Sequence, residues 1–272
     1  MGYPTLTEDE WTVVERIYVQ LDEDQLEEAR AALDKLLRAR PDQPDLRMVD
    51  AAVSLEEGDP ARALAALKGA ERSADPAAFF HLRAVCEYEL CRFEAARDDA
   101  QRALDVLPDY PEAHDLLART YAHLGDTSRA EEHIEAAETL DPEAYPRPLD
   151  VDDDEFDALV EKSLAELPER VRRELERLPV IVDELPSRQL LTLEEPPLSP
   201  DILGLFVGPH LFEHGHDELP SAPGSIHLFR GNLRRTCHDR DELAREVRIT
   251  VQHEVGHLLG LDEDDLEEWG LG

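Results

Sequence analysis

The sequence predicts an all-α solenoid of repeated helical hairpins followed by a small α+β domain. Three observations carry this expectation. Alanines recur at a period near 34 through the first half, prolines punctuate the same period, and a late helix carries HEVGH behind several short β-branched runs. A chain of 272 residues is long enough for two ordinary domains, each burying its own core. Their expected bounds are residues 10–143 and 152–272.

In the first half Ala29, Ala63, Ala96 and Ala130 share one position, 34, 33 and 34 residues apart, and Leu36, Ala70, Ala103 and Ala137 follow each by seven. Seven residues are close to two helical turns, so each pair lies on one face, where small side chains let paired helices approach closely. Pro41, Pro76, Pro108 and Pro142 then end the units, since proline lacks the N–H a continuing helix needs. Gly58 and Gly125 stand at matching turns between helices. The third and fourth units are the fullest, with Leu116, Leu117, Ala118 and Tyr121 ahead of HLGDTSRAEEHIEAAETLDP; the first is degenerate. These units resemble the tetratricopeptide (TPR) repeat family. The resemblance implies a curved solenoid whose concave face binds a protein or peptide.

The segment AYPRPLDVDDDE combines Pro146, Pro148 and an acidic run that cannot bury itself, and marks the boundary. Asp152 to Glu155 equally suit the first turn of the next helix, where they complement its positive dipole end.

From Phe156, FDALVEKSLAELPERVRRELERL reads as one helix. Val180 to Val182, between Pro179 and Pro186, reads as a strand, as do Ile202 to Val207 and Ser225 to Phe229. Asp241 to Leu259 reads as a helix with Val247, Val251, Val255 and Leu258 on one stripe and Glu246, Thr250, His253 and His257 on another, so the histidines turn away from the core.

Within that helix the spacing of HEVGH is chemical. Two histidines at i and i+4 stand one turn apart, so His253 and His257 can both reach one zinc ion, and Glu254 between them suits the base that deprotonates a zinc-bound water. Gly260 can take the left-handed conformation that ends the helix and redirects the chain. Glu263 then stands ten residues after His253, at the third-ligand position of the extended HExxHxxGxx(H/D) pattern, with Asp262 and Asp264 beside it. Asp262 suits a cap for a following helix.

The segments FDALVEKSLAELP, LPVIVDELP, ILGLFVG, SIHLFRGNL and VRITVQHEVGHLLGL resemble the bacterial zincin-like metallopeptidase family, from about Phe156 to the C-terminus. The resemblance implies a minimal metalloprotease-like fold with His253 and His257 as zinc ligands and Glu254 as catalytic base. The chain departs from that pattern in carrying Glu263 where the family usually has Asp. No Met follows Met48, so a metzincin Met-turn is absent, and no Tyr follows Tyr145. The upstream candidates for an oxyanion donor are His214, His216, His238 and Arg235. His210, His214 and His216 form a His-rich loop, read as solvated near the cleft rather than as a second metal site. In zincins a strand beside the active-site helix can pair with an extended peptide; Ser225 to Phe229 is expected in that role, or as a plain core strand.

With 28 basic and 64 acidic residues the formal net charge is -36, which excludes neither solubility nor protein partners but disfavours nucleic acid and anionic membrane. The N-terminus lacks a basic start and apolar core, Leu6 stands where a myristoylation site needs Ser or Thr, and no apolar run approaches membrane-spanning length. Cys86, Cys91 and Cys237 are odd in number and lack CxxC spacing, which points to a reducing cytoplasm. The expected function is a cytoplasmic zinc peptidase whose TPR-like array recruits a protein or peptide; the alternative is a TPR adaptor whose zinc domain is structural or weakly active. The substitutions Asp262→Asn, Glu263→Gln and Asp264→Asn, each followed by a zinc-affinity titration, test the third ligand. Only Glu263→Gln should weaken binding by orders of magnitude; loss with either Asp variant instead moves the ligand to that residue.

Overall fold

The computed structural model describes residues 5–71, 75–175, 178–193, 195–208 and 224–260. The chain divides into two compact units, residues 1–145 with 191–199, and residues 146–190 with 200–272.

In the first unit α1 (Glu8–Asp22) pairs with α2 (Leu26–Ala39), α3 (Pro44–Glu56) with α4 (Pro60–Ala66), α5 (Pro76–Glu89) with α6 (Phe93–Val106), and α7 (Pro111–His123) with α8 (Thr127–Leu140). The repeated alanines Ala29, Ala63, Ala96 and Ala130 are all buried, as are Ala70, Ala103 and Ala137. Their missing bulk is what lets the helices close on one another. Each hairpin turns through a left-handed residue five positions before its alanine: Asp24 (φ 58°), Gly58 (φ 73°), Cys91 (φ 56°) and Gly125 (φ 78°). Glycine takes this conformation freely, whereas Asp24 and Cys91 hold it at a cost of about 1 kcal/mol. Asp59 and Asp126 then cap the second helix, accepting from the backbone N–H of Arg62 and Arg129.

Proline punctuation works from both sides of the helix. Pro41, Pro108 and Pro142 follow the last residues of α2, α6 and α8, as the spacing predicts. Pro76 is a correction: it is the first residue of α5, not the end of α4, which stops at Ala66. Pro44, Pro60 and Pro111 likewise open helices, where the first N–H has no helical partner and a fixed φ is already suitable.

The second unit opens with α9 (Asp153–Glu166), whose N-cap Asp152 accepts from the N–H of Glu155. The single helix expected from Phe156 is in fact two. Pro168 forces the preceding Leu167 into an extended conformation (ψ 151°), so α9 ends and α10 (Glu169–Leu175) begins afresh. Strand β1 (Val180–Asp183), the single-turn α11 (Arg188–Leu191), β2 (Gly204–Val207), β3 (Ser225–Phe229), α12 (Arg230–Thr236) and α13 (Arg240–Leu258) follow.

The sheet order is β1-β3-β2, with β1 parallel and β2 antiparallel to β3. β3 is therefore paired on both sides, which rules it out as the edge that could accept a peptide; among the described residues β1 and β2 are the two ends of the sheet. One face of β3, Ile226 and Leu228, is buried against Val247, Val251 and Val255 of α13 and Phe156 and Val160 of α9. The alternation of the strand turns Ser225 and His227 to the other face.

The first unit also holds two imidazoles as neutral rings. His81 lies against Tyr110, ring centroids 5.1 Å apart, with its Nδ1 buried and lacking a hydrogen-bond partner among the described residues. Burial, reinforced by Arg119, pushes its pKa down to about 4, and burial beside His114 does the same for His133. Well above pH 6.5 both are neutral whether the chain is folded or not. As the pH falls from 6.5 toward 4 the unfolded chain gains protons the folded chain refuses, so stability is lost across that window. The thermal midpoint of wild type should fall more steeply between pH 6.5 and 4.5 than that of His81→Gln; parallel slopes would remove His81 from the account.

Candidate metal centre

Helix α13 starts where Asp239 caps it, accepting from the N–H of Glu242 at 2.8 Å, and Asp241 and Glu242 favour its positive first turn. It stops at Leu258. Gly260 takes φ 70° and donates its N–H to the carbonyl of His257, the left-handed ending expected from the sequence. Val247, Val251, Val255 and Leu258 form the buried stripe.

His253 and His257 emerge half-buried one turn apart. Their Nε2 atoms are 2.9 Å from each other, and the rings stand perpendicular with centroids 4.5 Å apart. The pair fits a zinc ion: with Zn–N distances of about 2.0–2.1 Å, two tetrahedral ligand atoms lie about 3.3 Å apart, a few tenths of an ångström beyond the observed separation. Both rings already direct the same nitrogen to the same point.

Glu254 takes a different environment from its neighbours. It is only 6% exposed, and the strand it meets is β2. Because the N–H of Phe229 donates to Leu203, residues 203 and 229 form a hydrogen-bonded pair of the antiparallel ladder; Leu205 and His227 are the next. Gly204 and Phe206 between them must turn their backbone groups away from β3. The outward N–H of Phe206 donates to the Glu254 carboxyl, and burial, only partly offset by that bond, pushes the carboxyl up to about 7.

Close approach of β2 to α13 depends on Gly204. A Cβ there would lie 2.7 Å from Thr250 Cγ2 and 2.9 Å from both Cγ and Oε1 of Glu254. Sequence reasoning did not single out Gly204 or Phe206. The available signal was a glycine inside an apolar strand pattern, ILGLFVG, which marks a close backbone contact.

Among the other sequence candidates, Glu263, Asp262, Asp264, His210, His214 and His216 lie outside the described residues. Among the described residues no group of three His, Cys, Asp or Glu side chains is gathered as a metal set. His238 is not at this site. It precedes the cap of α13 and binds Glu242 at 3.1 Å, some fifteen residues and about 22 Å along the helix from His253. Arg235, three residues earlier at the end of α12, belongs to that same far end.

Residues 175–271 match the family described as Zincin-like metallopeptidase, and residues 15–78 and 84–145 match Tetratricopeptide repeat. No curated protein matches the chain. Among solved structures it is similar to a double mutant of MamA from RS-1 at 20% identity and TM-score 0.42, covering 52% of this chain and 80% of that one. MamA from residue 41 to its end, from Desulfovibrio magneticus RS-1, gives 20% identity and TM-score 0.43 over 49% and 76%. The type IV pilus biogenesis factor PilW gives 14% identity and TM-score 0.35 over 63% and 92%.

Substituting Gly204→Ala should destabilise the second unit by about 1–3 kcal/mol, because the added methyl must push β2 off α13. Adding Thr250→Ser removes the nearest clashing methyl and keeps the hydroxyl bonded to the Glu246 carbonyl. Denaturant unfolding should show the double variant recovering part of the loss; equal stability of wild type and Gly204→Ala would refute the contact.

Proposed function

We propose that the chain is a zinc-dependent peptidase whose repeats dock a protein or peptide partner. The observation that carries this reading is the convergence of His253 and His257 Nε2 beside a buried Glu254 on the last turns of α13. The match to the metallopeptidase family over the same segment supports it.

His253 and His257 would hold the zinc, with Glu263 as the third protein ligand. Bound there, zinc supplies Lewis-acid polarisation of a scissile carbonyl and acidifies a water. Glu254 would take that water's proton and return it to the leaving amine. The Phe206 N–H bonds to this carboxyl, whose acceptor capacity leaves room to receive the proton as well. That same N–H, with the outward backbone groups of Gly204, is what an extended peptide would pair with along the edge of β2. A peptide strand seated there would compete with Glu254 for that one donor.

On the repeats, the buried alanine positions and the match to the tetratricopeptide family support a docking array. A formal charge of -36 favours a basic or neutral partner over nucleic acid. No helix among the described residues is long and apolar enough to cross a membrane. The three cysteines are buried and unbridged, which suits a reducing cytoplasm.

Protein purified without chelator should carry about one zinc per chain by elemental analysis. Glu254→Gln should keep the metal yet lose cleavage of a random peptide library by at least about 10²-fold. Failure to take up zinc on titration ends this reading. Full zinc with no chelator-sensitive cleavage leaves the repeats as an adaptor with a structural metal.

A further inference from the structure

The face of the sheet turned away from α13 carries a second set of reactive groups. Ser225 and His227 stand two residues apart on β3, so their side chains share that face. Ser225 Oγ lies 3.0 Å from His227 Nε2. On its other side His227 Nδ1 lies 3.1 Å from Oδ2 of Asp183, the last residue of the parallel neighbour β1.

The roles of these atoms follow from the acceptor. Asp183 accepts, so the imidazole proton sits on Nδ1, and Nε2 presents its lone pair to the Ser225 hydroxyl. A hydroxyl donating to an imidazole that is itself oriented by a carboxylate is the connectivity that activates a serine nucleophile. The surroundings reinforce it. His227 is flanked by its ladder partners Ile181 and Leu205, its side chain is 12% exposed, and the ring lies nearly parallel to that of Phe229, 6.4 Å away. Apolar walls restrict the ring and keep water from competing for Nε2. Ser225, in contrast, is only half-buried, at the first position of the strand. The pairing of a fixed base with an accessible hydroxyl distinguishes this chain of bonds from one sealed in the core.

We propose that Ser225, His227 and Asp183 form an acyl-transfer site for small esters or thioesters, with Ser225 as nucleophile. Ser225 Oγ bonds to the acyl carbon as its proton passes to His227 Nε2. The bond from that carbon to the alcohol or thiol breaks, and the leaving group takes the proton from Nε2. A water then gives its proton to Nε2 and its oxygen to the acyl carbon. The acid departs, and Ser225 Oγ recovers the proton. Asp183 holds the ring throughout and exchanges no proton. The zinc centre takes no part, because the core face of β3 separates this triad from α13.

The test uses the full chain in the presence of chelator, so that its result is independent of the zinc site. Diisopropyl fluorophosphate is the probe: the Ser225 Oγ–phosphorus bond forms, fluoride leaves, and the serine proton goes to His227. Intact mass should show one adduct per chain, mapped by peptide analysis to Ser225 and absent from Ser225→Ala. His227→Gln and Asp183→Asn keep the serine and should label at least about 10²-fold more slowly. Asp183 is substantially exposed and Asn matches its shape, so this variant retains the fold if His227→Gln does not. No adduct on Ser225, or equal labelling rates in wild type and Asp183→Asn, would overturn the proposal.

Discussion

Everything in the second unit is organised by how closely α13 can lie against β2. A helix bearing Thr250 and Glu254 on the contacting ridge can reach the strand backbone only where that strand has no side chain, and Gly204 is that place. The same approach buries the Val247, Val251 and Val255 stripe against Ile226 and Leu228 of β3. It also delivers Glu254 to the outward N–H of Phe206 while leaving His253 and His257 half-buried. Burial of the core and placement of the site are consequences of one contact, so a change at Gly204 reaches both.

The sheet's alternation then distributes chemistry between two faces. Residues of β3 facing α13 are wholly apolar and serve packing. Ser225 and His227 face the other way, where Asp183 arrives from β1 because that strand is parallel and in register, Asp183 opposite Phe229. Polar groups at such positions avoid the cost of unpaired burial only by bonding to each other, which they do.

In the first unit the governing constraint is interhelical distance. Alanine at each repeated position brings the paired helices together, and a left-handed residue at each turn sets the angle at which the second helix leaves. Charged side chains fill what the small core leaves open. Arg30 joins Asp50 and Glu57 across hairpins, and Arg83 grips the buried Asp99 with a 2.6 Å bond. With acid in such excess, the partly buried arginines are the residues that offset local repulsion at the helix interfaces.

The sequence by itself determined whatever depends on near neighbours in the chain. Hairpin period, capping aspartates, the glycine that ends α13 and the one-turn separation of His253 and His257 are all local, because helical geometry relates residues three to seven apart. The break between α9 and α10 is of the same kind, since Pro168 acts on its immediate neighbour Leu167, and the apolar pattern running through it masks a signal that is present in the sequence. What only the tertiary structure decided is which strands are neighbours. Strand order places β3 between β1 and β2, which leaves β1 and β2 as the sheet's ends among the described residues, brings Gly204 and Phe206 to the candidate site, and assembles Ser225, His227 and Asp183 from segments more than forty residues apart. Periodicity assigns a residue to a face of its own element. It carries no information about the partner across that face, since register and pairing arise from the packing of many side chains at once.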